Sequence, residues 1–267
     1  MNALAGAFAA LGSSRPPEGF EKPTAEIFET QCLIGSGDFC FNRIALYMLV
    51  AAAIVIVLFV VAFSRPSIVP RGVQNVLEAG VDFIRDDIAV DVIGQEGRRF
   101  APFLTSIFFF VFVANILGIV PFFQLPATSR MAIPAFLAGL VWLTFNAAGV
   151  RAQGLRYFTN TLFPPGVPKA LYILLTPIEF VSVFLVRPLT LSVRLLGNMF
   201  AGHMLLTIFF LGTAYLLAQW KTAVFGVAAF GLGVGLVGFE LLVAVLQAYI
   251  FTILTAVYIG GAIHPEH

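Results

Sequence analysis

The stretch ALYILLTPIEFVSVFLVRPLTLSVRLLGNMFAGHMLLTIFFLGTAYLLA, residues 170–218, decides the fold. It stays apolar throughout, broken only by Pro177, Glu179, Arg187, Pro188, Arg194, Asn198 and His203. As one straight helix it would measure about 73 Å, more than twice the roughly 30 Å hydrocarbon core of a bilayer. Two upright spans would need a turn near the centre. The only candidate, Gly197-Asn198, is flanked on both sides by strong helix formers. The pattern therefore predicts one continuous helix, kinked and strongly tilted. After a break at Gln219-Trp220-Lys221, residues 222–262 repeat the anomaly. Two overlong helices joined by a tight connection predict an oblique hairpin.

Toward the N-terminus the apolar runs have ordinary lengths. Residues 44–63, 100–123 and 131–150 predict three upright spans, the second carrying Asn115. Between the first two, residues 67–93 predict an amphipathic helix on the membrane surface or against a soluble partner. Val73, Val76, Leu77, Gly80, Val81 and Ile84 form its apolar side; Glu78, Asp82, Arg85 and Asp86 form the other. Residues 151–169 are a polar, proline-rich connector. The expected fold is thus an all-α integral membrane domain over 44–262, with long helices at 170–218 and 222–262. An extracytoplasmic segment at 1–43 precedes it and a cytoplasmic tail at 263–267 follows.

Composition agrees. The chain is 60% hydrophobic and 11% charged, against about 25% charged residues in globular domains. A net charge of +1 leaves no basic patch for nucleic acid. Cys32 and Cys40 are either plain thiols or a short disulfide loop, which an exported segment would permit. Two cysteines and three scattered histidines offer no metal-ligand spacing, and no cofactor is expected. The apolar patch Ala3–Leu11 is too short to span and lacks the basic start of a signal peptide.

Orientation follows from lysines and arginines near the spans. Residues 64–99 and 151–169 hold Arg65, Arg71, Arg85, Arg98, Arg99, Arg151, Arg156 and Lys169. The opposite side holds only Arg15, Lys22, Arg43, Arg130 and Lys221. The C-terminus is therefore expected in the cytoplasm and the N-terminus outside.

Ionisable groups inside apolar helices are expensive, about 2.5–3.5 kcal/mol each at the bilayer centre on insertion scales. Glu179, Arg187, Arg194, His203 and Glu240 are of this kind. Arg187 has two structural readings, snorkelling to the interface or pairing with Glu179. Arg194 sits near the centre of its helix, more than two turns from any carboxylate in sequence. Its guanidinium cannot shed its proton on burial, so another element must supply a carboxylate or water. An ion pair with Glu240 is the structural alternative. His203, nine residues on, falls about 180° around the helix, while Asn198 and Thr190 stay near the arginine's side. Taken alone, His203 reads as a neutral core histidine. On the companion helix Glu240, Gln247 and Tyr258 share a face, preceded by Gly231, Gly233, Gly235 and Gly238, which strip away bulk. A His, a Glu, an Asn and a Gln at one depth suit proton relay.

Two segments, Arg187-Pro-Leu-Thr-Leu-Ser-Val-Arg-Leu-Leu-Gly-Asn-Met-Phe-Ala-Gly-His203 and Glu240-Leu-Leu-Val-Ala-Val-Leu-Gln-Ala-Tyr-Ile-Phe-Thr-Ile-Leu-Thr-Ala-Val-Tyr258, resemble the signature of subunit a of F-type ATP synthases. The likeness covers residues 44–262 and includes the Asn115 span. It implies a non-catalytic stator subunit with two offset aqueous half-channels, beside a ring of c subunits and held by b-type peripheral-stalk subunits. Arg194 would match the essential arginine facing the ring carboxylates. Asn198, His203, Glu240, Gln247 and Asn115 would line the outer half-channel. Some members carry the His and the Glu in the reverse order. Glu179, Ser182 and Thr190 are candidates for the cytoplasmic half-channel. The implied ion is the proton, because a His–Glu pair suits proton transfer better than sodium coordination. A bacterial plasma membrane is the expected location, with the mitochondrial inner membrane second. The rival from another class is a secondary transporter with an anion site at Arg194. It predicts internal repeats, which the unlike lengths of the spans and the hairpin do not offer.

Overall fold

The computed structural model describes residues 32–34, 41–64, 71–120, 131–154, 156–163 and 171–264. Most of the N-terminal segment, including Cys40 and so the question of a Cys32–Cys40 bond, lies outside the described residues. Two short strands, β1 (Cys32–Ile34) and β2 (Phe41–Asn42), pair antiparallel with Cys32 opposite Asn42. They are a small departure from an all-α chain. Among the described residues, the α-helices that follow are α1 (Arg43–Phe63), α2 (Val73–Phe83), α3 (Ala101–Ile119), α4 (Ala132–Gln153), α5 (Arg156–Leu162), α6 (Tyr172–Val181), α7 (Arg187–Leu217) and α8 (Ala223–Ile263). Among the described residues, five helical stretches are long and apolar enough to cross a membrane: Ala45–Phe63, Ala101–Ile119, Ala132–Gln153, Tyr172–Leu217 and Ala223–Ile263.

The 46-residue stretch Tyr172–Leu217 runs unbroken through Gly197-Asn198. Its irregularity lies earlier, in a π-helical segment, Ser182–Val186, between α6 and α7. Proline explains the location. Pro188 has no N–H to give the turn before it, and its ring crowds the carbonyl four residues back, so the ladder re-pairs at wider spacing. The 3-10 turn Trp220–Thr222 then reverses the chain into α8, and Thr222 Oγ1 donates to the Leu216 carbonyl at 3.1 Å.

The chain divides into two compact units. The second unit, residues 50–113, 131–196 and 246–267, is densely packed. Leu104, Val111, Val141, Phe145, Leu195, Phe251 and Ile259 are all at most 1% exposed. The helix read from residues 67–93 belongs to this core. α2 continues through a π segment, Ile84–Val90, and a last α turn, Asp91–Ile93. Leu77, Ile84, Ile88, Ala89 and Ile93 join the cluster formed by the spans. Two expectations are corrected here. The stripe covers the chain's own helices, and its first turn does not take part: Val73 and Val76 are 56% and 69% exposed. Gly80 explains the close approach, since a Cβ there would lie 2.9 Å from the Phe109 ring. On the polar side Arg85 donates to both carboxylate oxygens of Asp86 at 3.0 and 2.7 Å and meets Asp82 at 2.9 Å. That hydrogen bonding holds the Asp86 carboxyl below its ordinary range.

The first unit comprises residues 1–49, 114–130 and 197–245. Its described packing is sparser. Met199, Leu206, Thr213 and Ala244 are buried, Gly226 lies against Leu217, and Phe210 meets Phe230 edge-on at 6.5 Å. Along α8 many large apolar side chains point outward, among them Val224, Phe225, Leu232 and Phe239. Such a surface suits lipid or another apolar protein rather than water.

Candidate functional site

Polar side chains inside an apolar helix need partners, and several hydroxyls find them in their own backbone. Thr207 donates to the His203 carbonyl, Thr213 to Phe209, Thr252 to Ala248 and Thr255 to Phe251, at 2.7–2.8 Å. This back-bonding to residue i−4 removes them from consideration as free groups. Asn146 is satisfied too: its amide donates to the Trp142 carbonyl at 2.8 Å and its oxygen accepts from the Tyr157 hydroxyl at 3.3 Å.

Among the described residues, five side chains in the spans carry polar atoms buried without a hydrogen-bond partner: Thr105 Oγ1, both amide atoms of Asn115, the Trp142 indole N–H, Oε2 of Glu240 and Nε2 of Gln247. Asn115 is 1% exposed, Gln247 5% and Glu240 9%. Orphaned polar atoms are rare, because each forfeits about 1–3 kcal/mol of solvation without return.

Asn115 and Glu240 share one cavity of about 170 Å³ in the first unit, lined also by Asn198, Ala201 and Gly202. Gly202 explains how the carboxylate fits, since a Cβ at that position would lie 2.6 Å from Glu240 Oε1. The sequence reading missed this glycine. The only signal was its place next to His203, among many glycines in apolar helix. Glu240 meets α7 at Gly202, and Asn198 and Ala201 line the same cavity. His203, half-buried, does not line the cavity. Gln247 belongs to the second unit.

Arg194 is on an exposed face of α7, with exposed Thr190, Gly197 and Ala201 within about 60° of it by helical rotation. No ion pair or hydrogen bond to it is found among the described residues. The expected structural partner for Arg187, Glu179, is replaced by an aromatic one. The Arg187 guanidinium carbon lies 5.3 Å from the centre of the Tyr258 ring, a cation–π contact, and Tyr258 packs on Phe145. Glu179 is half-buried and forms no ion pair among the described residues. Ser182 opens the π segment. Thr190 is exposed, its hydroxyl bonded back to the Val186 and Arg187 carbonyls at 2.8 and 3.1 Å.

These features define a polytopic membrane protein with an unpartnered arginine on an apolar helix face and a small polar cavity around a buried carboxylate. The sequence pattern of the ATP synthase A chain family matches residues 45–260, and the chain belongs to that family. It is 47% identical to ATP synthase subunit a of Frankia alni, over 94% of this chain and 89% of the relative. The likeness to ATP synthase subunit a of Rhodococcus erythropolis is 42%, over 92% of each. For that of Maricaulis maris it is 40%, over 86% of this chain and 91% of the relative.

Proposed function

We propose that this chain is the proton-conducting stator subunit of a bacterial F-type ATP synthase, working against a ring of c subunits and anchored by b-type peripheral-stalk subunits. The observation that carries the reading is Arg194. A permanent cation on an outward apolar face, with no partner among the described residues, calls for an anion from another chain. Carboxylates of a passing rotor meet that need one at a time. Beside the guanidinium each arriving carboxylic acid becomes a stronger acid and gives up its proton. The same charge repels a proton that would otherwise leak straight across.

Protons reach and leave that point through two offset aqueous half-channels. The Asn115–Asn198–Glu240 cavity is the core of the outer one, and His203 and Gln247 also serve that half-channel. Glu240 is the exchangeable group: its partnerless oxygen can take a proton from water and pass it on. Glu179, Ser182 and Thr190 serve the cytoplasmic half. The N-terminus lies outside the cell and the C-terminus in the cytoplasm. The two overlong helices incline along the ring's curve.

The test is ATP-driven proton pumping by the assembled complex in vesicles. Arg194→Ala is expected to abolish it while the complex still assembles. Intact pumping in that variant would overturn the proposal.

A further inference from the structure

A second cavity lies within the second unit. Its volume is about 800 Å³, and its walls include Glu96, Arg99, Leu140, Leu143, Arg151 and His264. Arg99 lies two residues before the span Ala101–Ile119, Arg151 is in the last turn of the span Ala132–Gln153, and His264 follows the span that ends at Ile263. All three therefore sit where a span meets the membrane boundary. Neither arginine has an ion pair or hydrogen bond among the described residues, Glu96 included, and both are exposed.

Below this basic mouth the wall is apolar. Leu140, Leu143, Ala147 and Arg151 follow at spacings of three and four on one face of α4 and run about 16 Å along its axis. Leu140 and Leu143 are 37% and 61% exposed. The one hydroxyl on this face, Thr144, is spent on the Leu140 carbonyl at 2.8 Å. The cavity thus has the polarity of a phospholipid: charged at the boundary and oily below it.

We propose that this cavity is a binding site for a single anionic phospholipid. Its phosphodiester lies between Arg99 and Arg151, and an acyl chain lies along Leu140 and Leu143. Two guanidiniums and one carboxylate leave a surplus of one positive charge, which a headgroup of one net negative charge neutralises. Guanidinium forks suit phosphate oxygens, and each basic side chain near the bilayer surface adds appreciably to anionic-lipid affinity. Glu96 stands ready to accept a hydrogen bond from a headgroup hydroxyl, as glycerol offers.

The test uses the assembled complex, delipidated and returned to nanodiscs of phosphatidylcholine with a small share of phosphatidylglycerol. Co-purifying lipid is counted by native mass spectrometry. Phosphatidylglycerol is expected to be retained over phosphatidylcholine and over phosphatidylethanolamine. In the R99Q/R151Q variant retention is expected to fall on the order of tenfold. Should that variant not assemble, Leu143→Trp blocks the acyl groove and is expected to lower retention with both arginines in place. Inorganic phosphate at millimolar concentration is expected not to compete. Four results would overturn the proposal: equal retention of all three lipids, full retention in the R99Q/R151Q variant, displacement by inorganic phosphate, or a neighbouring subunit's helix cross-linking to Leu143.

Discussion

Among the asparagines that interrupt the apolar spans, Asn146 and Asn115 are treated in opposite ways. Asn146, in the second unit, is tied at both ends, to the Trp142 carbonyl and to the Tyr157 hydroxyl. Tyr157 is itself 3% exposed and lies against Gly149, with ring atoms 2.5 Å from where a Cβ would stand. Asn115, in the first unit, is buried as deeply and tied to nothing among the described residues. It shares its cavity with a carboxylate that is half tied at most. Asn146 serves as a fastening. Asn115 is kept available, at a cost in stability that a purely structural residue would have no reason to carry.

The glycines sharpen this contrast, because adding one methyl group probes each region in the same way. The largest effect is expected at Gly97, where a Cβ would overlap the Ala89 carbonyl. Backbone cannot step aside as a side chain can. Gly97→Ala should loosen the 3-10 turn from α2 and cost about 3 kcal/mol or more, read as a lowered unfolding midpoint in detergent. Gly149→Ala comes next, at about 1–3 kcal/mol, since the Tyr157 ring must move and the bond to Asn146 lengthens with it. A loss of proton pumping at unchanged thermal stability would count against this fastening role.

Gly202→Ala should behave in the reverse sense. The atom in its way belongs to a flexible carboxylate, so stability should change by less than about 1 kcal/mol. ATP-driven pumping should nevertheless fall several-fold, because Glu240 is pushed from its seat. Equal pumping by wild type and Gly202→Ala would break the comparison between the two regions. The smallest effect is a pH dependence at the surface of α2. Asp86 has a lowered pKa because Arg85 hydrogen-bonds its charged form. Its contribution is therefore complete above the ordinary value of 3.8 and is lost as the pH falls from there through the depressed value. Amide exchange over residues 73–93 should show a small loss of protection in acid, absent from Asp86→Asn and weakened by salt.

What could be read from residues alone was what bilayer thickness and backbone chemistry dictate. The number of spans and the excess length of the last two helices follow from apolar run lengths, and the absence of a turn at Gly197-Asn198 from the helix formers around it. Arg194 could be singled out because a guanidinium has no neutral form to retreat to. Legibility ended where a side chain had a choice of partners. Nothing in local sequence told Arg187 to prefer Tyr258 over Glu179, since the ring arrives from α8. Nothing separated Asn115 from Asn146, because each amide is satisfied or orphaned by elements distant in the chain. The first turn of α2 was misread for a related reason. Periodicity shows which residues share a stripe but not how much of that stripe a neighbour covers.

The π-helical segment at Ser182–Val186 has one more consequence, and it concerns phase. Relative to an uninterrupted α-helix, a π turn holds one surplus residue, so everything beyond it is turned by roughly 100°. Wheel arithmetic carried straight through from Glu179 to Arg187 is wrong by that amount. The compass bearing of Arg194 is thus dialled in two turns upstream, by a residue count rather than by any contact the arginine makes. Removing one residue from 182–186 would yield a more regular helix whose arginine points elsewhere.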